Sequence, residues 1–111
     1  MSFSVILTRR FEKELKRLIK KYPSLKNEFA QWISEITQQP NLGVLITNNC
    51  YKTRMAIASK GKGKSGGARL ISYLYMNANT IYLLSVYDKS EKDNLKPNEI
   101  NDMIDSLDLG E

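Results

Sequence analysis

The sequence predicts an α+β fold: a mostly antiparallel four-stranded sheet with an N-terminal helical hairpin packed on one face and a C-terminal helix, in the order β-α-α-β-β-β-α. Three observations carry this expectation. Residues 9–22 and 24–39 each repeat apolar side chains at helical spacing. Three strand-like runs then follow one another beyond residue 50 with no crossover helix between them, which makes them an antiparallel meander. A chain of 111 residues, 41% hydrophobic and 26% charged, suits one modest core, so residues 1–111 are expected to form one domain.

Phe3 to Leu7 is β-branched and aromatic enough for a short first strand. Thr8 can cap a helix over 9–22, with Phe11, Leu15, Leu18, Ile19 and Tyr22 on one stripe and Lys/Arg on the remaining face. Pro23 stops it. Ser24 is a second N-cap candidate, and Leu25, Phe29, Trp32, Ile33 and Ile36 form another stripe before Pro40. Both stripes, Trp32 included, read as core under one face of a sheet. In "YKTRMAIA", residues 51–58, Tyr51, Met55 and Ile57 point one way while Lys52 and Arg54 point the other. "ARLISYLYM", residues 68–76, places Leu70, Leu74 and Met76 against Arg69, Ile71, Tyr73 and Tyr75. "NAN" at 77–79 turns the chain into "TIYLLSVYD", a largely apolar central strand. Pro97 sits near the start of a last helix with Ile100, Met103, Ile104 and Leu107 as its apolar positions. The sheet face away from the hairpin is expected to be wet, with Lys52, Arg54 and Arg69 lining it.

The sequence has no histidine and one cysteine, Cys50, which removes zinc chemistry and Ser-His or Cys-His catalysis. No metal or other cofactor is expected. The lone cysteine cannot form an intramolecular disulfide, the N-terminus lacks a targeting pattern, and no run approaches a membrane span. A cytoplasmic protein with no membrane partner is expected. Net charge is +5 but uneven: residues 1–50 carry +4, residues 51–87 carry +6 with no acid at all, and residues 88–111 carry −5. A block of six cations without an acid favours a polyanionic partner.

The densest part of that block is "ASKGKGKSGGAR", residues 58–69. Gly61, Gly63 and Gly66 satisfy G-x-G-x-x-G, and Ala58 to Ser65 match a P-loop apart from Ala58 at its first glycine. Both motifs require a helix next, whose N-terminal amides hold phosphate. A strand follows instead, so nucleotide binding is rejected. What remains is a long glycine-rich hairpin loop, Ser59 to Gly67. It reads either as a soluble, floppy tip or as a cationic flap whose Lys60, Lys62 and Lys64 follow an RNA backbone. Lys92, with Arg9 and Arg10 on the first helix, extends the candidate RNA contacts.

RNA can be cut without histidine by activating a 2′-OH, stabilising charge on the phosphorus and protonating the leaving 5′-oxygen. Lys52 and Arg54 share a strand face, and Arg69 joins them if the hairpin register sets it opposite. Crowded cations depress a lysine, which suits Lys52 to a base role while the arginines clamp charge. Tyr87, Asp88 and Lys89 end the last strand within reach of the same cleft. The plain alternative is that these residues only keep one sheet face polar.

The stretches "YKTRMAIASKGKGKSGGARLISYL" and "IYLLSVYDKSEKDNL", behind a basic helical hairpin, resemble the RelE/ParE superfamily of toxin-antitoxin toxins, most closely its HigB-like RelE branch. The resemblance implies a metal-independent mRNA interferase that enters the ribosomal A site, among ribosomal RNA, and leaves a 2′,3′-cyclic phosphate and a 5′-hydroxyl. It implies a cognate antitoxin with a helix-turn-helix part, through which the complex meets operator DNA. Matching catalytic positions are Lys52, Arg54, Arg69 and the segment from Tyr87 through Lys89 to Lys92. RelE carries an arginine where this chain has Ser90 and a C-terminal tyrosine near the place of Lys96. A ParE-like inhibitor of DNA gyrase and a non-catalytic RNA-binding module are the alternatives.

Overall fold

The computed structural model describes residues 3–61, 63, 66–92 and 94–107. Its elements are β1 (Ser4–Leu7), α1 (Arg9–Lys21), α2 (Leu25–Gln38), β2 (Val44–Thr47), β3 (Cys50–Met55), β4 (Ala68–Tyr75), β5 (Thr80–Asp88) and α3 (Pro97–Asp105). The sheet therefore has five strands, ordered β1-β5-β4-β3-β2, where the sequence predicts four. β1 runs parallel to β5 and the other neighbours are antiparallel. The additional strand, β2, is joined to β3 through Asn48 and Asn49, both at positive φ, which is what a two-residue hairpin with native twist requires. β3 stops at Met55, and residues Ala58–Lys60 form a short 3-10 turn at the root of the glycine-rich loop.

The helical hairpin packs on one sheet face as predicted. Thr8 accepts the Phe11 amide at 3.3 Å and donates its hydroxyl to the Leu83 carbonyl at 2.8 Å, so one side chain caps α1 and ties it to β5. Ser24, expected to cap α2, makes no side-chain cap bond; its hydroxyl lies 3.2 Å from Glu28 and 2.8 Å from Ser59. Phe11, Leu18, Leu25, Trp32 and Ile36 meet Leu70, Leu74, Ile81, Leu83 and Val86 in the main core. A bulge interrupts the β4–β5 ladder, with Leu84 the extra residue between the pairs Ile71–Ser85 and Ser72–Leu83. Glu14 of α1 fills it, accepting the Ser85 hydroxyl at 2.9 Å and the Val86 amide at 3.2 Å.

The opposite face, expected to be wet, is divided. Cys50, Ile71, Leu84 and Leu95 form a second apolar cluster with Ile100 of α3, against which Met103, Ile104 and Leu107 pack. Pro97 begins α3, and Glu99 reaches back to accept the Lys96 amide at 3.0 Å. Burial pushes the Cys50 thiol up to about 12, so it is not a nucleophile. The rest of that face carries the cations. No helix among the described residues is long and apolar enough to cross a membrane.

Gly67 joins the loop to β4 at a close approach: a Cβ there would fall on the Met55 carbonyl oxygen. Gly67→Ala is expected to destabilise the fold by about 1–3 kcal/mol, read as a lower urea midpoint. An unchanged midpoint would show that β3 and β4 can separate there without loss.

Candidate active site

Strand register brings the predicted residues together. Arg54 of β3 lies directly opposite Arg69 of β4, and Arg69 lies directly opposite Tyr87 of β5. Such partners sit about 4.5–5.5 Å apart between Cα atoms. Lys52, two residues before Arg54 on the same face, stands opposite Ile71. Lys89 follows β5, its amide donating to the Gly67 carbonyl at 3.0 Å. Arg54 and Arg69 are therefore like charges set directly across the ladder from one another.

Arg69 is buried, 4% exposed, although a strand-end arginine after a glycine-rich loop reads as a surface residue. One of its guanidinium nitrogens donates to the Ala68 carbonyl at 3.2 Å. Burial gives its charge a longer reach than that of an exposed cation. Lys52 feels this directly: burial first, then the charges of Arg69, Arg54 and Lys89, hold its ammonium below the ordinary lysine range. Its Nζ donates to the neutral Asn94 Oδ1 at 2.9 Å, which keeps the amine oriented without fixing its proton. Burial raises the Tyr87 hydroxyl despite the opposing charge of Arg69. Among the described residues that buried hydroxyl has no hydrogen-bond partner. Lys92 lies 6.0 Å from the centre of the Tyr87 ring.

The remaining predicted contacts divide. Arg9 and Arg10 are exposed in the first turn of α1, where Arg10 pairs with Glu14 at 3.5 Å. They line a cleft with Tyr82, Leu84 and the acidic face of α3, apart from Lys52 and Arg54. Lys60 is not a free flap charge: its ammonium is bound by the buried carboxylate of Asp88 and lies 2.9 Å from Ser90 Oγ. Lys62 and Lys64 lie outside the described residues. Asn94 is the contact sequence reasoning missed; a polar residue in the segment after β5 carries no signal of its partner.

A cleft of about 710 Å³ lies between α2 and the edge of β3, lined by Trp32, Glu35, Gly43, Thr53 and Met55 and bordered by Lys52 and Arg54. Among the described residues no group of three or more His, Cys, Asp or Glu side chains could hold a metal ion. What the face offers is a depressed amine, two permanent cations and a protonated phenol within one patch of sheet.

A family model described as the RelE toxin of the RelE/RelB toxin-antitoxin system matches residues 5–106. Among solved structures, a doubly substituted E. coli toxin RelE in the free state superposes with a TM-score of 0.62 at 16% identity, over 84% of this chain and 90% of that one. The RelE-containing intact E. coli RelBE toxin-antitoxin complex gives 0.60 at 16% identity, over 78% and 96%. The toxin-antitoxin complex RelBE2 from Mycobacterium tuberculosis gives 0.56 at 16% identity, over 79% and 99%. At such identities these likenesses speak for the fold.

Proposed function

Because this chain belongs to the RelE family of toxins from toxin-antitoxin systems, we propose that it is a ribosome-dependent mRNA endoribonuclease that halts translation and is neutralised by a cognate antitoxin. The observation that carries the nuclease reading is the register that sets Arg54 against Arg69 beside a lysine held below its ordinary range. A gyrase inhibitor acting by protein contact needs no such amine.

In this reading the neutral Lys52 amine takes the proton of a ribose 2′-OH. The 2′-oxygen attacks the adjacent phosphorus, closing a 2′,3′-cyclic phosphate as the bond to the 5′-oxygen breaks. Arg54 and Arg69 hold the charge that gathers on the non-bridging oxygens. Lys89 is the cluster's proton source for the departing 5′-oxygen, while the Tyr87 hydroxyl is buried and Tyr87 backs Arg69 across the ladder. Every group comes from this chain. Lys92, Arg9 and Arg10, with Lys62 and Lys64 of the flap, supply salt-sensitive contacts to message and ribosomal RNA. Solved relatives that are toxin-antitoxin complexes support an antitoxin partner. Its helix-turn-helix part would bring the pair to operator DNA.

The purified protein should cut a message held on translating ribosomes and leave the same RNA whole when ribosomes are withheld. Equal cleavage in both, or none in either, would contradict ribosome dependence.

A further inference from the structure

The helical hairpin, the flap root and the turn after β5 meet at one buried carboxylate that the chemistry above does not use. Asp88 is fully buried on the helix side of the sheet, opposite Ala68. Its Oδ1 binds the Lys60 ammonium and accepts the Ser90 amide at 3.0 Å and the Ser90 hydroxyl at 2.8 Å. Its Oδ2 accepts the Tyr22 hydroxyl at 2.8 Å, and the Lys60 ammonium lies 5.6 Å from the Tyr22 ring centre. Burial alone would raise this carboxyl, but the bonds from Lys60, Ser90 and Tyr22 outweigh it and hold the group below the usual carboxylate range.

The same corner fixes its neighbours. Glu28 accepts the Ala58 amide at 2.8 Å and Ser24 accepts the Ser59 amide at 2.9 Å, so the flap root is tied to α2. Beyond Asp88, Glu91 pairs with Arg17 at 2.6 Å and with Lys21 at 3.4 Å, which ties the turn to α1. That turn also carries Lys89 and Lys92 to the other side of the sheet, where one depresses Lys52 and the other lies over Tyr87.

We propose that Asp88 is a positioning residue: by binding Lys60, Ser90 and Tyr22 together it fixes the turn that presents Lys89 and Lys92, with Lys60 its structural partner and not an RNA contact. The proposal rests on the reading of the cationic face as a ribonuclease site. Lys60 neutralises Asp88 locally, so an acid beside the cluster in sequence takes no charge from the phosphate clamp. A buried ion pair of this kind contributes little net stability over an apolar pair of like volume; its value lies in geometry.

The test is the double variant Asp88→Leu/Lys60→Met, which removes both charges together. It is expected to keep its melting temperature while cleavage on ribosomes falls roughly 10- to 100-fold. Amide exchange at residues 89–92 should quicken, and the salt dependence of RNA binding should stay as in the parent. Arg54→Ala, by contrast, should shallow that slope by about 0.7, one phosphate contact. Parental exchange with parental cleavage in the double variant overturns the proposal, and so does a shallower salt slope from losing Lys60. Should the double variant not fold, Tyr22→Phe/Ser90→Ala removes two of the partners at less buried positions and is read the same way. If the parent itself cuts nothing, the ribonuclease reading fails, and exchange with the salt slope decides the positioning role alone.

Discussion

Replacing Arg69 with alanine is expected to lower ribosome-dependent cleavage by about 10²- to 10³-fold, the loss that follows removal of one aimed, desolvated charge donor. The size follows from placement. Arg69 is nearly inaccessible, lies between Arg54 and Tyr87 in register, and is one of the charges that depress Lys52. Its loss therefore weakens the clamp and returns Lys52 toward its ordinary range. Truncating a buried side chain also leaves a cavity, so the melting temperature should fall somewhat and cleavage is compared where both proteins are folded. Arg69→Lys should recover only part of the activity, since an ammonium lacks the planar fork that grips two phosphate oxygens. Lys62→Ala, removing one of several flap charges, should relieve growth arrest far less. Equal rescue by both substitutions at matched expression would contradict the assignment.

The second large effect concerns Lys52 and pH. If its neutral amine is the base, cleavage should rise with pH and level off at an apparent pKa below the roughly 10.4 of a free lysine. The sign follows from the cause: burial and three neighbouring cations disfavour the charged form, so the active form is present at lower pH than in an isolated lysine. Arg54→Ala removes one of those cations and should move the ascending limb upward while lowering the plateau. Lys52→Arg, which cannot lose its proton, should abolish the limb and most of the activity. A profile with no ascending limb in the parent, or a limb that Arg54→Ala leaves in place, would assign the base elsewhere.

Much of the fold is legible because local signals agree with it. Thr8 caps α1, the two stripes cover one sheet face, Pro97 opens α3, and β5 spans the residues its apolar run predicts. The missing strand left a signal as well. "VLIT" between Gly43 and the Asn48–Asn49 pair is a short β-branched run ending in a two-residue turn. It is easily passed over because Val44 and Leu45 at this edge are exposed. The bulge at Leu84 has no local signal, because the group that satisfies it, Glu14, comes from another element. The same holds at the site. Alternation places Lys52, Arg54 and Arg69 on one face, but only pairing register shows Arg54 opposite Arg69 and only packing shows Arg69 buried. Lys60 reads as one flap charge among three, and nothing in "ASKGKGKSGGAR" says that Asp88 binds it.

The most direct measurement of the central claim is a map of transcript 5′ ends in growing cells shortly after induction. New ends should appear inside translated codons, bear 5′-hydroxyl groups, and vanish with Arg69→Ala. Whole messages accompanied by arrested replication would contradict the account and place the chain with inhibitors that act on DNA gyrase.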